Sequence, residues 1–319
     1  MMRLPLHFFD VTKFTSLQGV RLLWLTLFLP GQLFLPCNAL ASGLFIIYPK
    51  VKAPYNKIYK DIIKGINENY PGKTQKFELP HNGDNNDLTE QIEQHQPDVL
   101  VALGKGSLKK AQQLASPIPI VVGAITKTEE AIAGVSMSPS AEVVLSHLLG
   151  MAPFVKQVHV VSDHQRQTQL DGAEAFLLER GKALKVEQVK SVQEAADRYL
   201  KIIHKASTED AIWLMRGGSL NDPSILMLVL EAAWKKKIIV FSSNPSHVKR
   251  GALFSLYPDN RKMGGTLAEI AQQHELKLIS PSAGLAPLKS VHLIVNKRTS
   301  KHLGIMLNDI SGLTIHRLL

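Results

Sequence analysis

From Ser42 onward the sequence alternates short apolar runs with longer amphipathic stretches, and this alternation limits the fold more than any other feature of the chain. Parallel strands joined by crossover helices produce such a text, because a buried strand reads as a continuous apolar run and its helix as a 3.6-residue period. Strands are expected at 44–48, 75–79, 99–103, 120–123, 157–161, 185–189, 211–214, 238–241, 252–256 and 291–296. Helices are expected at 55–69, 88–95, 141–151, 167–180, 192–206, 224–236 and 260–274. The run VLVAL at 99–103 is apolar on both faces, so helices must cover its sheet on both sides. The units fall into two sets, one before Ser136 and one over 157–241, which gives an α/β fold of two doubly wound parallel-sheet lobes joined by hinge crossings. Crossings are expected at 136–139, 244–256 and 282–289, the second and third containing the turn formers and prolines a linker needs. The N-terminal lobe is then 42–138 plus 255–287, and the C-terminal lobe 139–254 plus 288–319.

The 45% hydrophobic content of the 319 residues is enough for two cores. The net charge of +10 is spread along the chain. Its densest run, Lys235-Lys236-Lys237, ends a helix without interleaved aromatics, so nucleic acid is not an expected partner. A basic balance favours an anionic ligand or a negative membrane surface. Residues 22–36, LLWLTLFLPGQLFLP, carry no charge, follow Lys13 and Arg21, and precede Ala39-Leu40-Ala41, a small-x-small cleavage signal. Residues 1–41 therefore read as a cleavable signal peptide and the mature chain as periplasmic. The apolar run, broken by Pro30-Gly31, is shorter than the roughly 20 residues of a spanning helix. Cys37, the only cysteine, precedes the cut and follows Leu35-Pro36, unlike a lipoprotein signal; a mature chain without thiols suits an oxidising compartment.

In open α/β sheets ligands collect beyond the carboxyl ends of the strands, so the loops there hold the candidate residues. Tyr48 ends the first strand, and Gly104-Lys105-Gly106-Ser107 follows the third, offering helix N-terminal amides to an anion or making a plain βα turn. Thr126 follows the fourth, as a helix cap or a cleft residue. In the second lobe, Ser162 and Asp163 precede a helix that either of them can cap. Arg216, Gly217 and Ser219 follow strand 211–214, and the planar guanidinium suits a carboxylate or phosphate as well as a salt bridge. Ser243 and Asn244 follow strand 238–241; Tyr257 is a candidate aromatic wall, and Asp259 either a ligand contact or a helix cap. The histidines, His147, His159, His164, His204, His247, His274 and His292 among them, lack zinc-site spacing. No nucleophile, base and orienting group gather at one strand end, so neither catalysis nor a metal or cofactor is expected.

The series Pro97-Asp98-Val99-Leu100-Val101-Ala102-Leu103-Gly104, Pro119-Ile120-Val121-Val122-Gly123-Ala124, Arg250-Gly251-Ala252-Leu253-Phe254-Ser255-Leu256-Tyr257-Pro258-Asp259-Asn260-Arg261-Lys262-Met263-Gly264 and Leu293-Ile294-Val295-Asn296-Lys297-Arg298-Thr299-Ser300-Lys301-His302-Leu303-Gly304 resembles the ABC-transporter substrate-binding family with the type I periplasmic binding protein fold. The likeness runs from about Asp87 to Gly304 and is most specific over 251–264. It implies a monomeric receptor whose lobes close on a small solute, an aromatic amino acid in some members, for delivery to a membrane permease and its ATPase. Where the family commonly presents an Asp-Asn pair, this chain has Arg216-Gly217-Gly218-Ser219, which disfavours an ammonium and invites an anion. The loop 49–54 is also shorter than usual. The resulting expectation is periplasmic capture of a small polar, anion-leaning molecule for an ABC permease. A second reading gives the closed form to a membrane sensor, a histidine kinase or a cyclase.

Overall fold

In a computed structural model the described residues are 43–80, 85–114, 116–127, 131–162, 167–215, 222–310 and 312–319. The signal-peptide expectation lies outside them. The first lobe is built on β1 (Gly43–Pro49), β2 (Lys73–Leu79), β3 (Val99–Leu103), β4 (Ile120–Ile125), β5 (Gly134–Pro139) and β11 (Leu285–Leu288). They form one sheet in the order β11-β5-β4-β3-β1-β2, with every pairing parallel. Helices α1 (Asn56–Asn69) and α9 (Asn260–Glu275) cover the face that buries Leu44, Ile46 and Val101. Helices α2 (Asn85–His95) and α3 (Lys105–Gln112) cover the face that buries Phe45, Ile47 and Leu100. β3 is buried at every residue, as its unbroken apolar run requires.

The second lobe repeats the plan. Strands β6 (Gln157–Ser162), β7 (Ala183–Gln188), β8 (Asp210–Leu214) and β9 (Ile239–Ser242) form a parallel sheet in the order β7-β6-β8-β9. Helices α4 (Ala141–Met151) and α5 (Gln167–Leu178) pack on one face, and α6 (Val192–Lys205) and α7 (Pro223–Lys236) on the other. After the short helix α8 (Ser246–Arg250), β10 (Phe254–Pro258) pairs antiparallel with β12 (Val291–Val295), which pairs parallel with the C-terminal β13 (Ile315–Leu318). The Leu253 N–H donates to Val240 O at 2.7 Å, tying this ribbon to the parallel sheet. Helix α10 (Lys297–Leu303) follows β12.

Helix starts follow the local code. Ser140, Ser191, Asp222, Asp259 and Asn296 each accept a backbone N–H from the first turn of α4, α6, α7, α9 and α10. The segments read from sequence as crossings at 136–139 and 282–289 contain paired strands, β5 and β11 lying side by side in the first sheet. β13 was not signalled in the sequence either: its four residues are held by pairing with β12.

Candidate functional site

Strand order locates the site before any side chain does. In the first sheet the chain leaves β1 for β2 on one side and for β3 on the other, so the order reverses between β1 and β3. In the second it reverses between β6 and β8. At such reversals the two crossover helices diverge and leave a crevice at the carboxyl ends of the strands. The residues there are Tyr48 and Gly104 in the first lobe, and Ser162 and Met215 in the second.

Gly104 stands at φ 90°, ψ 157°, a conformation that only glycine adopts without strain, and it starts α3 with no side-chain cap. Among the described residues no side chain caps the amides of Lys105 and Gly106 that open the helix. Both residues are exposed, and a Cβ on Gly106 would meet nothing within 4 Å. Ser107, by contrast, is fully buried with its Oγ unpartnered, so its side chain points away from the exposed turn. Beside this corner Ala124, the residue before the end of β4, stands at φ 57°, a left-handed backbone that costs an alanine about 1–2 kcal/mol. Thr126 is exposed and its carbonyl accepts Ser136 Oγ–H at 2.8 Å. A residue that sequence reasoning passed over, Tyr59 of α1, brings its hydroxyl to 3.2 Å from where a Gly104 Cβ would stand. The signal was its position one turn into a helix that follows directly on the loop after Tyr48.

The candidates of the second lobe are more occupied. Ser162 is buried. Ser243 Oγ accepts Trp213 Nε1–H at 2.9 Å, and Asn244 Oδ1 accepts from Ser246 N–H and Oγ–H. Asp163, Arg216, Gly217 and Ser219 lie outside the described residues. Ser242 Oγ lies 2.9 Å from His247 Nδ1, while Asn244 Nδ2 lies 3.2 Å from the other ring nitrogen, a hydrolase-like trio. Its hydrogen bonds run the wrong way for catalysis. Ser242 Oγ–H is donated to Leu214 O, so His247 Nδ1 carries the proton and Nε2 accepts from Asn244. Ser242 is also only 1% exposed, and burial holds the His247 imidazole below its ordinary pKa. The trio fixes the loop after β9.

Tyr257 lies at the end of β10 and Asp259 at the start of α9. The Tyr257 ring packs on His292 at 5.2 Å, and Asp259 caps α9 by accepting Lys262 N–H at 3.1 Å. Among the described residues no group of three or more His, Cys, Asp or Glu is placed to hold a metal ion. No described helix is long and apolar enough to cross a membrane.

Residues 54–311 match the family model described as ABC transporter substrate binding protein. The chain belongs to that family. Members are ligand-binding proteins. Among solved structures, the ligand-free, open form of CD0873, a substrate binding protein with adhesive properties from Clostridium difficile, is similar with a TM-score of 0.62. It shares 17% identity over 87% of this chain and 100% of that one. A Streptococcus pneumonia ABC domain in complex with L-Trp is 19% identical over 87% of this chain and 99% of that one, with a TM-score of 0.49. A conserved domain protein from Vibrio cholerae is 17% identical over 88% of this chain and 100% of that one, also at 0.49. No curated protein matches. The fold of this substrate-binding family member is thus the type I periplasmic binding protein fold expected from the quoted segments.

Proposed function

We propose that this protein captures a small polar molecule, preferring an anion, between its two lobes in the periplasm and presents it to an ABC permease. The single observation that carries the reading is the Gly104–Ser107 corner. A chain of the substrate-binding family opens α3 at a strand-order reversal with no capping side chain, leaving backbone donors for a ligand oxygen. The basic balance of the chain and the sequence position of Arg216 support the same charge preference. Closure follows if the bound molecule also reaches the β6 and β8 ends, because a ligand shifts an open–closed equilibrium only by contacts it gains in the closed form.

Gly106→Asp tests the corner. The site has room for the new side chain, and an acidic residue in the first turn favours the helix, so the melting temperature should hold or rise. The carboxylate occupies the anion's place, so affinity for the molecule that co-purifies with the wild type should fall at least tenfold. Mass spectrometry identifies that molecule, and titration calorimetry measures the loss. Unchanged affinity in a folded Gly106→Asp protein removes the corner from the ligand site. Arg216→Ala, measured in the same way, should weaken binding at least tenfold with the unliganded melting temperature nearly unchanged.

A further inference from the structure

A second hollow lies on the first lobe. It has a volume of about 480 Å³ and is lined by α1, the end of β1 and the loop after it, and the edge strand β2. It exists because β2 ends the sheet. Lys76 and Glu78 pair in register with Ile46 and Tyr48, so their side chains stand on the α1 face, and at this edge α1 is the one described helix that lines the hollow. The sheet edge and the helix thus make a trough instead of a closed core. Its apolar body is Tyr48, Val51, Tyr59 and Ile63.

The charges in the trough do not balance. Lys60, Lys64 and Lys76 stand against Glu68 and Glu78. Glu68 is held by a bidentate pair with Arg261 of α9, which neutralises it and pulls its carboxyl below the ordinary range. Neither phenol hydrogen-bonds another described residue; burial raises both Tyr48 and Tyr59, so each stays a neutral donor. A pocket with two tyrosine rings and aliphatic side chains for its body, phenol donors and surplus ammonium groups suits an aromatic ring bearing a carboxylate.

We propose that this trough between α1 and β2 is a second ligand site, which takes a small aryl carboxylate. Its end at Tyr48 and Tyr59 borders the Gly104 corner, while the rest of its lining runs along α1 and β2 of the same lobe. An occupant gains nothing from closure and binds the open and closed forms alike.

The test uses the purified protein and 2-naphthoate at low salt, followed by titration calorimetry. One saturable site is expected. The double variant Lys64→Glu/Lys76→Glu should lower its affinity at least tenfold; both lysines are exposed, and an unchanged melting temperature verifies folding. Gly106→Asp should leave it within twofold, and the uncharged 2-naphthalenemethanol should bind at least tenfold more weakly. X-ray scattering should show no compaction on binding. The proposal is overturned if the charge-reversed protein binds as the wild type does, or if Gly106→Asp abolishes binding, which puts the probe in the corner. Equal binding of the uncharged analogue, compaction on binding, or no saturation up to about 5 mM overturns it as well.

Discussion

At the scale of single residues, the stretch that most marks the family in the sequence serves packing more than recognition. Gly264 of α9 faces Ile62 and Gly65 of α1 so closely that a Cβ on it would stand 2.1 Å from Ile62 O. A Cβ on Gly65 would stand 1.9 Å from Arg261 O. The obstacle is backbone in both cases, so no rotamer relieves it and the helices must separate. Gly264→Ala should therefore destabilise the protein by about 2–3 kcal/mol, the scale of overpacking a tight core. In the double variant Gly65→Ala/Gly264→Ala, the second alanine should cost less than it does alone, since the first has already parted the helices. Chemical denaturation of the singles and the double measures both; full additivity would show two independent clashes. Sequence could mark this segment but could not say why, because a glycine kept for a neighbouring helix and one kept for a ligand read the same. The opposite holds at Asp259. Its position before a helix pattern allowed a cap or a ligand contact, and the structure shows the cap.

At the scale of elements, what was legible followed from how much of each element's stability is local. β3 and the amphipathic α6, which buries Ala195, Tyr199, Ile202 and Ile203 down one side, declare themselves by period alone. α4 begins at a serine cap and runs 141–151 as its sequence indicates. β5, with the sequence GVSMSP, and β11, with LAPL, carry proline, serine and glycine and read as crossings. They are strands because of pairing in the finished sheet, β11 against β5 and β5 against β4 as well. Tertiary pairing decides such segments, and no local window contains it. The switch-point geometry escaped for the same reason, since strand order is not written in any one element. β13 gives a test of this dependence. Leu319 N–H donates to Val295 O at 2.9 Å, and Lys297 N–H to Leu319 O at 2.8 Å, so the last strand clamps the start of α10. Deleting residues 315–319 should lower the melting temperature by several degrees, at about 2–4 °C per kcal/mol for a domain of this size. Amide exchange should speed up along β12 and the first turn of α10 but not in β1 or β3. Uniform loss of protection in both lobes would show that the strand supports the whole fold.

At the scale of the whole molecule, acid stability is governed by histidines spread over both lobes. Burial is the leading cause that holds His147, His247, His274 and His292 below the ordinary imidazole value of 6.5. For His292, burial and the charges of His316 and Lys262 outweigh the attraction of Asp259. A histidine depressed in this way binds fewer protons when folded than when unfolded, so stability rises with pH. Its full contribution is present above 6.5, and it is lost as pH falls from 6.5 toward the folded value. The carboxylates of Asp210 and Asp222 are also held below their ordinary value of 3.8, so their contribution is lost only in stronger acid. The first fall in stability on acidification, setting in below 6.5, therefore belongs to the histidines. His274 isolates the effect: it is 6% exposed, sits on α9 in the first core, and has a buried Nε2 with no partner. His274→Leu removes both the unmet ring nitrogen and the titration, so the difference in melting temperature between pH 8 and pH 5.5 should narrow with no loss at pH 8. A protein that acidifies as the wild type does after this change has its histidine penalty in the second lobe, and His247→Leu should then narrow the difference instead.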